Sequence, residues 1–266
     1  MGRLWPLLAI TTCTLLTACG PGDTVADSQA PASTSTSTPA VGKTTTKPAA
    51  TSTMQVAVAD LPKCGDIPGA GAMPHDPLPD CRLSSRDSAA LSFIVRHKAG
   101  HGGNPWTAID VTGSDGKVLQ TLDVRDTEIP AEPYLADLDV DGRDELIVPV
   151  STAIVGNSTY VVFRPKADKL EFVEAGKIFG IGVDRTASGY IAAMSKSGPA
   201  DKYIEFQKFV GSTLVFVAEI IQTFDKDGHS TCRVDDEKGV PESEFSDEEV
   251  VRRFCGEQLL RTSPVG

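Results

Sequence analysis

Closely spaced acidic residues make the run from Asp137 to Glu145 the strongest candidate for chemistry in this sequence. Carboxylates stand at positions 1, 3, 5 and 9 of the run, and Gly142 at position 6 permits the tight turn that gathers them. Ca²⁺ takes six to eight oxygen ligands, whereas Mg²⁺ accepts few protein ligands. The spacing therefore predicts a structural Ca²⁺ site, completed by the main-chain carbonyl of residue 143. The predicted ligands are Asp137, Asp139, Asp141, Arg143 and Glu145.

The run begins like an EF-hand loop but ends differently, because Leu146 opens an apolar strand and position 12 lacks a bidentate Glu. This hybrid resembles the calcium loops of FG-GAP and VCBS-type repeats. The alternative is an acidic turn without an ion, in which the crowded carboxylates would repel one another. A second turn at Asp225 and Asp227 has only two carboxylates at this spacing, and we favour a polar hairpin turn there.

The sequence lacks the short motifs of the common enzyme classes. It contains no Gly-x-Ser-x-Gly elbow, no His-Glu-x-x-His, no phosphate loop and no dinucleotide fingerprint. We therefore expect a protein that is not an enzyme. A net charge of -11, from 25 basic and 36 acidic residues, with no basic cluster, also argues against nucleic-acid binding.

The N-terminal residues predict export and attachment to a membrane through lipid. Arg3 precedes a short apolar run that ends in Leu-Thr-Ala-Cys, which looks like a bacterial lipobox. Residues 1–18 are therefore predicted to be a lipoprotein signal peptide, and Cys19 the acylated first residue of the mature chain. Gly20 after this cysteine favours the outer membrane, with the protein facing the periplasm. Residues 19–55 are rich in Ser, Thr, Pro and Ala, and we expect a disordered tether.

The remaining residues, 56–266, predict one calcium-stabilised β domain. Segments such as 106–112 alternate with the period of a strand, and a Gly-Ser-Asp-Gly turn at 113–116 leads into the next strand. Short strands at even spacing indicate an all-β domain, either an antiparallel β-sandwich or a truncated propeller-like array. Ser246 and Glu249 form a capping-box pattern that predicts a short C-terminal helix.

Four cysteines remain in the predicted mature domain, because Cys13 leaves with the signal peptide and Cys19 carries lipid. An oxidising periplasm favours two disulfides, for which three pairings are possible. We favour one pair that closes a Pro- and Gly-rich N-terminal loop and one that attaches the C-terminal helix to the last strand. A zinc site is the weaker alternative, since no Cys-x-x-Cys spacing occurs. The favoured pairs are Cys64 with Cys81 and Cys232 with Cys255.

The order of features over residues 85–225 carries a family resemblance. A hairpin at 106–124 precedes the acidic run, a Gly-Asn loop ends in Tyr160, and the segment 195–206 follows. This order is similar to that of the periplasmic lysozyme inhibitors of the I-type class. It is more closely similar to the immunity lipoproteins that protect bacteria from peptidoglycan-hydrolase effectors of antibacterial type IV secretion systems.

The resemblance implies inhibition by a loop that enters the cleft of a lysozyme-like peptidoglycan hydrolase, which would be the protein partner. The residues that best match such an inhibitory loop are Gly156, Asn157, Ser158 and Tyr160, and a second possible loop contains Ser197, Gly198 and Tyr203. An ordinary strand tyrosine is the alternative role for Tyr160. Two other functions stay open: an FG-GAP-like calcium-binding scaffold or adhesion module of the envelope, and a lipoprotein hydrolase.

Overall fold

The computed structural model describes residues 60–66, 78–98, 106–125, 127, 132–166, 169–198, 200–235 and 245–261. The predicted signal peptide, Cys19 and the tether of residues 19–55 lie outside this part of the chain. No helix among the described residues is long and apolar enough to cross a membrane.

The described residues form three antiparallel sheets and one helix. The first sheet has the order β1 (Cys81–Ser84), β2 (Ser92–Lys98), β3 (Trp106–Thr112) and β4 (Val118–Val124). The middle sheet has the order β5 (Tyr134–Ala136), β6 (Glu145–Thr152), β7 (Ser158–Pro165) and β8 (Phe172–Gly180). The third sheet has the order β13 (Ser230–Val234), β12 (Thr213–Phe224), β11 (Asp201–Val210), β10 (Ile191–Lys196), β9 (Val183–Thr186) and β14 (Leu259–Arg261).

The predicted all-β antiparallel class is confirmed. In each sheet, four strands that are consecutive in sequence are also neighbours in space: β1 to β4, β5 to β8 and β9 to β12. This repetition of four-stranded meanders is the pattern of propeller blades, whereas a two-sheet sandwich would bury one core between its two layers.

The middle sheet is buried on both faces. Along β6, Leu146 and Val148 pack with apolar residues of the first sheet, and Ile147 between them packs with residues of the third sheet. This explains why the strand reads as an uninterrupted apolar run instead of alternating with polar residues. A third apolar cluster lies between the third sheet and the helix.

The C-terminal helix α1 (Asp247–Phe254) begins at the predicted capping box. The Ser246 hydroxyl accepts a hydrogen bond from the Glu249 N–H, and the Glu249 carboxylate accepts one from the Ser246 N–H. Phe254 is buried and stacks on Phe206 of β11 with ring centroids 4.3 Å apart. The helix therefore closes the outer face of the third sheet.

Both favoured disulfide pairs are present. Cys64 and Cys81 join the segment 60–66 to β1, and both are buried. Cys232 of β13 is bonded to Cys255 at the end of α1. Disulfides of this kind are typical of a protein outside the cytoplasm.

Two loops lie at opposite ends of the middle sheet. We call residues 137–145 the acidic loop and residues 153–156 the hairpin tip. Strand β6 begins in the acidic loop at Glu145 and ends at Thr152, just before the hairpin tip. Eight residues of strand span about 26 Å, so neither loop can touch the other directly.

Candidate metal site and candidate inhibitory hairpin

The acidic loop bends through two residues with left-handed backbone, Val140 (φ 64°) and Gly142 (φ 86°). The Asp137 carboxylate accepts hydrogen bonds from the N–H groups of Asp141 at 3.1 Å and of Gly142 at 3.2 Å. Asp141 accepts one from the N–H of Arg143 at 2.8 Å. The loop is thus folded around its own carboxylates, in the way that an Asx turn organises a short chain segment.

Three of the predicted ligands converge on one point. Asp137, Asp139 and Glu145 each offer a carboxylate oxygen, and these oxygens lie within 4.8 Å of one another. Glu145 is fully buried, and its Oε2 accepts a hydrogen bond from the Leu138 N–H at 2.8 Å. Oε1 of Glu145 and Oδ1 of Asp139 are also buried, yet neither has a hydrogen-bond partner. Buried acceptors without a donor are costly, and a hard cation would satisfy both.

Burial also opposes the ionised forms of these acids. It raises the pKa of Glu145 to about 9, and the nearby charges of Asp139 and Asp141 act in the same direction. Burial raises the pKa of Asp139 as well, although the Arg164 guanidinium opposes this change. A bound divalent cation would reverse the effect by stabilising the carboxylates.

Arg164, near the end of β7, is a site residue that the sequence analysis missed. Its Nη2 donates to Oδ2 of Asp139 at 2.5 Å and to Oδ2 of Asp141 at 3.0 Å. Arg164 thus pairs with both of these acids. Of the two, only Asp139 belongs to the group of three converging carboxylates. A basic residue that directly follows the apolar run of β7 was the available signal, but only strand pairing shows which acids it meets.

Three residues of the acidic loop connect it to other parts of the fold. The Asp144 carboxylate accepts a hydrogen bond from the Arg86 N–H, in the loop between β1 and β2, at 2.7 Å. The main-chain oxygen of Asp137 accepts one from Nη1 of Arg185, on β9, at 3.3 Å. The Arg143 side chain donates to the main-chain oxygen of Lys166 at 3.0 Å, in the connection from β7 to β8. The acidic loop is thus bonded to β9 of the third sheet and to connecting loops of the first and middle sheets.

The second acidic turn behaves as a polar hairpin turn between β12 and β13. The exposed Asp225 carboxylate accepts hydrogen bonds from the N–H groups of Asp227 and His229. The bond from the His229 N–H lowers the pKa of Asp225. Among the described residues, three potential metal ligands come together at the acidic loop but not at this turn.

At the other end of the middle sheet, burial corrects the assignment of the inhibitory loop. Asn157, Ser158 and Tyr160 are all buried, and Tyr160 packs in the core between the middle and third sheets. A buried side chain cannot enter the cleft of another protein without leaving that core. The large apolar side chains that this hairpin exposes are Ile154, which is fully exposed, and Val155, which is 59% exposed.

Asn157 instead holds the two candidate loops together. Its Nδ2 donates to the main-chain oxygen of Lys196 at 2.9 Å, and its Oδ1 accepts from the Lys196 N–H at 3.1 Å. Lys196 ends β10, and the next residue, Ser197, is exposed in the second candidate loop. Gly198 follows in that loop, whereas Tyr203 lies half-buried within β11. The hairpin tip and the 197–198 loop therefore share one end of the molecule.

No protein-family model and no curated protein matches this chain. Among solved structures, it is similar to one described as the structure of a Xanthomonas type IV secretion system related protein. The two chains are 13% identical, the alignment covers 57% of this chain and 87% of the other, and the TM-score is 0.38. A likeness of this size is too weak to establish a shared fold.

Proposed function

We propose that this chain is a lipid-anchored protein of the periplasm that inhibits a lysozyme-like peptidoglycan hydrolase and has no enzymatic activity of its own. The lipobox at Cys19, the two disulfides and the sequence resemblance to immunity lipoproteins support this proposal. Lipid attached at Cys19 and the 19–55 tether would hold the inhibitor at the outer membrane, where it would meet hydrolases that enter the periplasm.

The observation that carries the inhibitory part is the hairpin tip. Ile154 and Val155 present two apolar side chains to solvent at the end of a hairpin whose base is tied to β10 by Asn157. A rigid base lowers the entropy that is lost on binding, and apolar anchors that enter a pocket supply most of the energy of typical interfaces. The hairpin tip is therefore the segment that we assign to the hydrolase cleft.

Lysis of a peptidoglycan suspension tests this assignment. The full chain, purified in a mild detergent, should slow lysis by lysozyme-fold or chitinase-like muramidases. The double variant I154D/V155D should raise the inhibition constant about thirtyfold or more, because charges would enter an apolar contact. V118D/L119D is the matched control, since Val118 and Leu119 are an exposed apolar pair on β4.

Three results would contradict the proposal in different ways. Equal loss of inhibition in the two double variants would exclude a specific role for the hairpin tip. Full inhibition by I154D/V155D would move the contact to another surface. If the protein binds calcium but inhibits no muramidase of either kind, an FG-GAP-like calcium-binding scaffold becomes the better description.

We further propose that the acidic loop binds a structural Ca²⁺ through Asp137, Asp139 and Glu145, with Asp141 and the carbonyl of Arg143 completing the ligand set. The two buried oxygens without a hydrogen bond, on Asp139 and Glu145, carry this proposal. The ion would neutralise charge that the fold otherwise buries at a cost. Its role would be structural, because the loop joins the three sheets.

Thermal unfolding with and without calcium tests the metal site. Calcium at one hundred times its dissociation constant should stabilise the wild type by about 2.7 kcal/mol relative to the chelated protein. D139N and E145Q should lose most of this gain, because each removes a charged ligand. D227N is the matched control in the exposed turn of β12 and β13, and it should respond to calcium as the wild type does. A calcium response that survives in D139N and E145Q would contradict the assigned ligands.

A further inference from the structure

Arg164 faces three of the five residues that we propose as calcium ligands. Its Nη2 lies 2.5 Å from Oδ2 of Asp139 and 3.0 Å from Oδ2 of Asp141, and its Nε lies 3.7 Å from Oε1 of Glu145. The side chain is only 15% exposed, so water screens these interactions weakly. Even without a metal ion, the carboxylates of the acidic loop therefore have a permanent positive charge beside them, the guanidinium of Arg164.

The guanidinium is held in this position by the third sheet. Its Nη1 donates to the main-chain oxygen of Gly211, in the turn between β11 and β12, at 2.6 Å. Its central carbon lies 4.2 Å from the centroid of the Phe209 ring, which is within the range of a cation–π contact. Arg164 thus has partners on both sides, and it stays beside the carboxylates without needing an ion to place it.

Arg164 and a bound ion would contact different carboxylate oxygens of the acidic loop. Arg164 uses Oδ2 of Asp139, while Oδ1 of the same residue and Oε1 of Glu145 have no hydrogen bond. An ion that takes these two oxygens would share Asp139 with the guanidinium. Two cations bound to the same carboxylate repel each other, and the repulsion is stronger in a partly buried loop than in water.

We propose that Arg164 is a tethered competitor of the metal at the acidic loop, an inference that rests on the proposed calcium binding. Without the ion, Arg164 neutralises part of the loop and keeps its carboxylates folded together. With the ion, its charge lowers the affinity of the site. A weakened site still suits a protein outside the cytoplasm, because extracellular modules bind calcium with dissociation constants of about 10⁻⁴ to 10⁻³ M.

Calcium titration of charge variants tests the competitor. The full chain in a mild detergent is titrated with calcium chloride in a calorimeter, and R164Q is compared with the wild type. R164Q should bind calcium about tenfold or more tightly, because the repelling charge is gone. R164K keeps the charge without the planar fork and should stay within about threefold of the wild type. R125Q is the control, because exposed Arg125 stacks on Trp106 of the first sheet and has no described contact with the acidic loop.

Thermal unfolding supplies a second measurement. In chelator, R164Q should melt below the wild type, since its acidic loop has lost its internal counter-charge. In saturating calcium the difference in Tm between R164Q and the wild type should narrow. The calcium-induced rise in Tm should therefore be larger for R164Q.

The outcomes separate this inference from the calcium proposal beneath it. If neither the wild type nor R164Q binds calcium, the proposed metal site fails, and the competitor role fails with it. If the wild type binds calcium and R164Q binds it equally or more weakly, only the competitor role is overturned, and Arg164 is then a residue that positions the ligands. An R164Q protein that stays unfolded even in calcium would overturn the role too, because Arg164 would then be indispensable for folding.

Discussion

Tyr160 is 9% exposed, and its ring packs edge-to-face against Tyr134 with the centroids 6.5 Å apart. Burial raises the pKa of its hydroxyl, which is expected where an ionised phenol would lose its hydration. These contacts give Tyr160 the role of a core residue between the middle and third sheets. The same residue type at an exposed position would have served as an anchor for a partner.

Truncation of this ring should therefore change stability more than recognition. We expect Y160A to lower the free energy of unfolding by about 3 to 5 kcal/mol, because it leaves a cavity in the core. Y160F keeps the ring but removes the hydrogen bond between the hydroxyl and Ser158, so it should cost about 1 kcal/mol. Urea denaturation measures both. A Y160F protein that unfolds like the wild type yet no longer inhibits a hydrolase would restore the contact role to the hydroxyl.

At the scale of the elements, two amide side chains join neighbouring sheets. Gln120 of β4 donates to the main-chain oxygen of Phe172 and accepts from its N–H, both at 2.8 Å. Asn157 makes the same pair of bonds with Lys196 of β10. Each amide thus satisfies two main-chain groups of the adjacent sheet, as a neighbouring strand would.

Removal of the Asn157 amide should loosen the end of the molecule that carries the hairpin tip. N157A deletes two hydrogen bonds and leaves the main-chain groups of Lys196 unpaired, so we expect a loss of about 2 to 3 kcal/mol in the free energy of unfolding. Hydrogen exchange should show faster exchange of the Lys196 amide. Q120A is the matched control and should expose the Phe172 amide instead. Equal protection of Lys196 in N157A and the wild type would contradict the bridging role.

At the scale of the whole molecule, two apolar cores and the bonds of the acidic loop hold the three sheets together. The two disulfides fasten the segment 60–66 to β1 and α1 to β13. The disulfide between Cys232 and Cys255 links positions 23 residues apart and attaches α1 to β13. The chain-entropy relation assigns about 3 kcal/mol to a loop of this length. The helix that covers the third sheet therefore depends on a covalent bond in addition to its packing.

Loss of this disulfide should lower the free energy of unfolding by a measurable amount. We expect C232A/C255A to lower the free energy of unfolding by about 3 kcal/mol in urea, with faster hydrogen exchange in α1. The pair C64A/C81A, which opens a loop of similar length, should cost a similar amount without changing exchange in α1. A loss below about 0.5 kcal/mol for C232A/C255A would mean that packing around Phe254 holds the helix by itself.

The sequence was sufficient for features that depend on local spacing. A few consecutive residues are enough to identify the acidic loop, the capping box at Ser246 and the alternating strands. Five short strands were not predicted, because three to five residues leave too little pattern to detect. They are β1, β5, β9, β13 and β14. The cysteine pairing was also predicted, because each favoured pair joins segments that are neighbours in the sequence.

Only the tertiary structure decided the roles of Tyr160, Asn157 and Arg164. Each lies in or next to β7, the strand between β6 and β8, so its partners come from the residues that the middle and third sheets place beside it. A period of two along a strand tells which residues share a face, but it cannot tell whether that face meets solvent or another sheet. The sequence by itself thus determined the acidic loop and the β class. Packing against the third sheet buried Tyr160, which was predicted to contact a partner, and held Arg164 beside the carboxylates.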